Sequence, residues 1–173
     1  MSPVTEQWEE VLRTHFALGE RHPAVRAAGA FSAASGFFAV VGRDAEDSDD
    51  GRQYFGRAAE QGEGQPDSGA PGVPHQADVE ALWTADEGTA PARSLRLADV
   101  VWHRESLERV TDAVTGTELD LVMLRDGERS MWVVRTRKGI CIFVLVDGGS
   151  EGHAAEARSF ALDFDSFLVS QGY

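Results

Sequence analysis

The pattern of hydrophobic and polar positions predicts a β-sheet over residues 118–147. Two runs of mixed character, residues 119–125 and 131–135, are joined through Asp126-Gly127, a pair that favours the positive φ angles of a tight hairpin turn. Seven consecutive apolar residues follow at 140–146, and many of them are β-branched. The pattern therefore predicts three consecutive antiparallel strands, of which the last is buried on both faces.

Further elements are predicted on either side of these strands. Residues 36–42 favour another strand of the same sheet, because five apolar residues lie there between two glycines. Apolar residues recur at helical spacing in residues 5–18, 99–115 and 160–168, which predicts amphipathic helices at the N-terminus, in the middle and at the C-terminus. The spacing in residues 95–102 also fits a strand, so the start of the middle helix has two interpretations.

These elements predict one α+β domain over residues 1–173. We expect an antiparallel sheet of about four or five strands, packed by the three amphipathic helices. An alanine-rich stretch at residues 23–28 is interpreted as a short helical turn. Residues 44–76 are first acidic and then rich in Gly, Pro, Ser and Gln, a composition that predicts a mobile surface excursion.

The charge of the chain narrows the classes of partner. Sixteen basic and twenty-nine acidic residues give a net charge of −13, which repels nucleic-acid phosphates and anionic lipid. We therefore predict neither direct nucleic-acid binding nor membrane binding. Residues 44–91 hold twelve acidic residues against two arginines, so much of the net charge belongs to one segment. The single cysteine, Cys141, lies in the apolar run and is predicted to be a small core residue in a cytoplasmic protein.

Residues 148–152 match the G-x-S-x-G pattern of a serine hydrolase, with Ser150 as the nucleophile, and they follow a predicted strand. That fold requires an acid and then a histidine after the serine, and the histidine must return from another loop. Only His153 follows Ser150. An ordinary flexible turn is the better interpretation.

Metal and nucleotide motifs are incomplete. The acidic run fits a calcium loop only if Gly51 takes its sixth position, which places Arg57 where a bidentate glutamate is required. The five histidines include no pair at i,i+4, and neither a P-loop nor a dinucleotide-binding motif occurs. We predict no metal and no cofactor.

Two groups of charged residues are candidate binding sites. The acidic run supplies candidate partner-binding residues: Asp44, Glu46, Asp47, Asp49 and Asp50. A basic group at the second sheet turn supplies a candidate anion contact, although a solvated turn is the simpler interpretation: Arg135, Arg137 and Lys138. Strand alternation places Arg129, Arg135 and Arg137 on the side of Met131 and Val133, opposite Trp132 and Val134.

We therefore expect a non-catalytic intracellular protein-binding module of the inhibitor, antitoxin, immunity or chaperone type. Its acidic surface would attract a basic protein partner and speed the encounter. The alternative is a small enzyme or ligand-sensing domain with a pocket beside the sheet, using His103, Glu105 or Ser150. A symmetric homodimer is also expected, because the apolar strand and aromatic helices could exceed what one domain covers.

Overall fold

The structure, a computed structural model, describes the strands, most of the helical residues and several of the turns between them. These residues are 3–16, 24–42, 55, 76–83, 94–97, 100–112, 116, 118–127, 129–136, 138–146 and 151–171. The acidic run at 44–50 and nearly all of the excursion at 44–76 lie outside them, so the predictions made for those segments stay predictions.

The described helices and strands have the following bounds. Helix α1 spans Pro3–Phe16, α2 spans Gln76–Ala81 and α3 spans Glu151–Ser170. The strands are β1 Val25–Ser32, β2 Gly36–Gly42, β3 Ser94–Leu97, β4 Val100–Thr111, β5 Glu118–Asp126, β6 Arg129–Arg135 and β7 Cys141–Val146. No helix in this described part of the chain has the length and apolar character needed to cross a bilayer.

The described strands form one antiparallel sheet with the order β2-β1-β7-β6-β5-β4-β3. The sheet is curled into a half-barrel. Strands β5, β6 and β7 form a meander, and Gly127 and Gly139 take φ angles of 51° and 81° in its two turns. Strand β7 is buried at every position and lies between β6 and β1, so an early strand of the chain pairs with the last one.

The predicted arrangement of four or five strands packed by three helices is wrong. The middle helix predicted over residues 99–115 is instead strand β4, which pairs with β3 on one side and β5 on the other. Glu105 and Arg109 would form an i,i+4 ion pair in a helix, but each of them pairs across strands instead. Glu105 lies 3.2 Å from Arg125, and Arg109 lies 3.2 Å from Asp120. Pairing along β5 thus overrides the helical spacing of residues 99–115, for which the strand interpretation covered only residues 95–102.

The alanine-rich stretch predicted to be a helical turn is also a strand, β1. Alanine favours helices in isolation, but β1 is paired on both sides, by β2 and by β7. Its small side chains leave room for large neighbours. A Cβ atom at Gly29 would lie 3.1 Å from the ring of Phe37, so glycine permits this aromatic contact across the pair.

Each face of the sheet has its own hydrophobic core. On the helix-covered face, α1 and α3 bury Trp8, Leu12, Phe160 and Phe164 against the strands. The opposite, aromatic face buries a cluster of rings and large aliphatic side chains: Phe31, Phe37, Phe55, Leu82, Trp102 and Phe143. The ring centroids of Phe37 and Phe143 are 5.0 Å apart in a T-shaped arrangement. Both faces are therefore covered by parts of the same chain.

Candidate functional site

A cleft of about 360 Å³ lies where α2 meets the start of β5 and the turn between β6 and β7. We call it the acidic cleft. It is lined by Glu80, Glu118, Leu119, Asp120, Arg135, Thr136 and Gly139. The described residues of this lining carry three carboxylates and one guanidinium, so this part of the cleft has a net negative charge.

Strand pairing sets the position of the charged residues in the sheet. Arg109 on β4 is the register partner of Asp120 on β5, and their side chains are 3.2 Å apart. Arg135 on β6 reaches the same carboxylate from the other side, at 3.8 Å. The sheet thus builds a row of three charges across three strands, with Asp120 at its centre.

Arg135 also joins helix α2 to the sheet. Its guanidinium stacks on the ring of Trp83, 4.9 Å from the centroid, and lies 3.5 Å from a carboxylate oxygen of Glu80. On the same side of β6, Arg129 stacks on Trp102 at 5.3 Å. Both arginines thus lie on the side of Met131 and Val133, as strand alternation predicts.

The surroundings of Arg135 favour a cationic ligand over an anionic one. Its charge already faces Glu80 and Asp120, and Glu118 lines the same cleft. Of the other two residues of the predicted anion contact, Lys138 is exposed in the turn, and Arg137 lies outside the described residues. The anion contact expected at these three residues therefore stays a prediction.

Of the residues expected to serve an enzyme, the two that the structure describes both lie on β4. His103 is exposed on β4, whereas Glu105 is engaged with Arg125. Ser150 lies outside the described residues. Among those that are described, no group of three or more His, Cys, Asp or Glu side chains is arranged to hold a metal ion.

Cys141 is a buried core residue, as predicted, with 3% of its surface exposed. Burial raises the pKa of its thiol to about 12, because the thiolate would lose its hydration. Arg135 lowers this pKa and Glu80 raises it, and both effects are smaller than that of burial. The nearby Trp83 indole also lowers it, although its N–H does not reach hydrogen-bond geometry. The thiol is therefore protonated at neutral pH and is a poor nucleophile.

A second group of acidic residues lies beside α3, on the helix-covered face. Asp165 is completely buried, and neither of its carboxylate oxygens has a hydrogen-bond partner in the structure. Asp112, just after β4, accepts a hydrogen bond from the hydroxyl of Ser166. Burial and the neighbouring charge of Asp112 raise the pKa of Asp165 to about 6.

The end of α3 also forms one wall of a groove with α1. This groove has a volume of about 240 Å³. Its lining consists of Gln7, Trp8, Val11, Phe167, Leu168 and Gln171. The groove is mixed in character, and its apolar side chains belong to the helix-covered core.

Sequence reasoning missed the residues of the acidic cleft other than Arg135. Alternation within β5 would have placed Glu118 and Asp120 on one face, so that signal was present. Glu80 and Trp83 gave no signal, because their approach to Arg135 depends on how α2 docks against the sheet.

Comparison with protein-family models gives no match to this sequence. Comparison with curated proteins likewise gives no significant relative. Functional inference therefore depends on the geometry and charge of the chain itself.

Proposed function

We propose that the protein is a non-catalytic binding module that engages a basic protein partner through an acidic surface. Modules of this kind include inhibitors, antitoxins, immunity proteins and dedicated chaperones. The observation that carries the proposal is the acidic cleft, whose described lining has three carboxylates beside the single stacked guanidinium of Arg135. A lysine or arginine side chain of the partner would add the positive charge that this lining lacks.

The exposure of the cleft residues suits electrostatic steering. The side chain of Glu80 is 58% exposed and that of Asp120 is 26% exposed, so both carboxylates act through solvent as well as on Arg135. Such charges affect mainly the association rate, and their effect falls as salt is added. The acidic run at residues 44–50 extends this proposal to a second surface, because its five carboxylates would attract the same partner.

An intracellular location is part of the proposal. It is supported by the single cysteine, which is buried with a free thiol and cannot form an intramolecular disulfide.

The cleft is tested with a hexa-arginine peptide as the probe, measured by stopped-flow fluorescence at low salt. The triple variant Glu80→Gln, Glu118→Gln and Asp120→Asn should slow association about 5- to 10-fold, because it removes three negative charges where the probe docks. A matched control, Glu6→Gln, Glu10→Gln and Asp163→Asn, removes the same charge from exposed positions of α1 and α3. If both variants slow association equally, the net charge acts without a site and the cleft proposal fails.

The acidic run is tested separately by the triple variant Asp47→Asn, Asp49→Asn and Asp50→Asn. We expect slower association with the same peptide, a flatter salt dependence and unchanged unfolding. Comparison with the cleft variant assigns the steering to one surface or divides it between the two.

The alternative of a small enzyme or ligand sensor has a test of its own. Two results together would favour this alternative over the binding proposal. The protein would capture no basic protein in its native cell, and a metabolite would raise its melting temperature.

A homodimer also stays a prediction. The sequence predicts a dimer because of surplus apolar surface. Among the described residues, however, one large hydrophobic side chain is exposed, Val101 at 42%. Light scattering that finds only monomer at micromolar concentration would contradict it.

A further inference from the structure

Asp165 is a buried carboxyl group with no hydrogen bond to offset the loss of its hydration. It lies in the second half of α3 with none of its surface exposed, and no hydrogen bond reaches either oxygen. An ionised carboxylate in such a place loses its hydration and gains nothing in return. The neutral acid is much better tolerated there.

The nearest charge makes the ionised form less favourable still. Asp112 is 8% exposed and is fixed beside the helix by the hydroxyl of Ser166, which donates a hydrogen bond to its carboxylate. Two neighbouring carboxylates repel each other when both are charged, so one of them retains its proton to a higher pH. Consistent with this, the pKa of Asp165 rises from 3.8 to about 6.

The other elements around α3 place no free cation beside Asp165 in the described part of the chain. The sheet residues that pack in this core are uncharged, among them Leu119, Leu121, Trp132, Val134, Ile142 and Val144. Charged side chains on the surrounding elements form pairs with each other. Glu108 of β4 lies 3.3 Å from Arg158 of α3, and Glu9 of α1 lies 4.0 Å from Arg13.

We propose that residues 161–170 of α3 form a pH-sensitive latch, closed on the sheet when Asp165 is protonated and loosened when Asp165 and Asp112 are both charged. The first half of the helix is held independently, because the indole of Trp132 donates a 2.7 Å hydrogen bond to the carbonyl of Ala154. The second half carries Phe167 and Leu168, which line the groove with α1. Loosening would therefore open this groove. This inference does not depend on the acidic cleft.

The direction of the effect follows from proton binding. A carboxyl whose pKa is higher in the closed state binds more protons there, so low pH favours closure. The stabilisation is lost as the pH rises from about 4 to about 6, and above this range the opening equilibrium is constant.

The test is hydrogen exchange followed by mass spectrometry, corrected for intrinsic exchange rates. Protection of residues 161–170 should fall about 30-fold between pH 4.5 and pH 7.5, a factor obtained from the rise in pKa from 3.8 to about 6. Residues 151–160 serve as an internal control and should change about 2-fold or less. The carboxyl carbon resonance of Asp165 should titrate near pH 6.

Variants separate the latch from a general effect of pH. Asp165→Asn should remove the pH dependence, whereas Asp163→Asn, an exposed neighbour on the same helix, should retain it. Asp112→Asn should move the transition to lower pH, because Asp165 then loses a repelling charge.

Three results would overturn the proposal. The first is a wild type and an Asp165→Asn variant with the same pH dependence. The second is a titration of Asp165 near pH 4. The third is closure of the helix at pH 7.5 by millimolar Mg²⁺ or Ca²⁺, since the two carboxylates would then hold a cation rather than a proton.

Discussion

The acidic cleft and the Asp112–Asp165 pair both contain carboxylates, but the surroundings of these carboxylates differ. In the cleft, Glu80 and Asp120 are partly exposed and face the guanidinium of Arg135, so both solvent and a cation stabilise their charge. In the pair, Asp165 is fully buried and the charge that acts on it is that of another carboxylate, Asp112. The acidic residues behind the net charge of −13 therefore include carboxylates in two different environments. In our proposals, the charge of the cleft attracts a basic partner, whereas the charge of the pair opposes folding.

The largest effect is expected when the buried carboxyl is replaced by its neutral isostere. A rise in pKa from 3.8 to about 6 corresponds to about 3 kcal/mol of lost folding free energy once Asp165 is fully ionised. Asp165→Asn should recover about 1–3 kcal/mol of unfolding free energy at pH 7.5, since a buried amide also has a desolvation cost. At pH 4 the variant and the wild type should be nearly equal. Urea unfolding at the two pH values measures this difference.

Asp163→Asn is the matched control for that measurement. Asp163 is exposed on the same helix, so its substitution should change the unfolding free energy by less than about 0.5 kcal/mol at either pH. If Asp165→Asn instead destabilises the protein at pH 7.5, the carboxylate has a favourable partner and the comparison with the cleft is wrong.

A smaller effect is expected from Arg135→Gln, because it removes the one guanidinium among the described residues of the cleft. The variant loses two partly exposed ion pairs and the stacking on Trp83, which together should cost about 1–2 kcal/mol of unfolding free energy. Its affinity for hexa-arginine should rise, because the described lining of the cleft then carries only negative charge. The variant should therefore have a lower unfolding free energy and a higher peptide affinity than the wild type.

Arg135→Lys separates charge from stacking in the same experiment. Lysine keeps the positive charge but lacks the planar guanidinium that lies over Trp83. It should lose part of the stability and leave the peptide affinity close to that of the wild type. Equal affinity of the glutamine and lysine variants would show that charge in the cleft does not govern binding.

The sequence predicted much of the local structure near the sheet centre and little of the global arrangement. Strands β5, β6 and β7 were recognisable because the turn glycines and the apolar run of β7 are local signals. Strand β1 was not, because alanine-rich residues become a strand only when β2 and β7 hydrogen-bond to both sides. The prediction for β4 was wrong for a similar reason. Its apolar spacing fits a helix, and only the pairing with β5 makes it a strand.

The difference between local and long-range contacts also explains which residues of the cleft and of the Asp112–Asp165 pair the sequence could predict. Arg135 and Asp120 lie on paired neighbouring strands, and alternation alone orients them. Asp165 lies among the apolar residues of the predicted helix 160–168, and the helical spacing there gives no signal for a buried carboxyl group. Its burial depends on how α3 lies against Asp112, and that contact joins segments more than fifty residues apart.

The smallest effect on stability is expected at Glu118, the cleft carboxylate that is exposed and forms no ion pair with the described residues. Glu118→Gln should change the unfolding free energy by less than about 0.5 kcal/mol, because no partner is lost. It should still weaken hexa-arginine binding about 2-fold at low salt, and this difference should vanish near 0.5 M NaCl, where the Debye length is only a few ångströms. Asp120→Asn is the informative comparison, since it should weaken binding similarly while also losing its pairs with Arg109 and Arg135. If Glu118→Gln leaves binding unchanged at every salt concentration, this end of the cleft does not contact the peptide, and the binding surface must be moved towards Glu80.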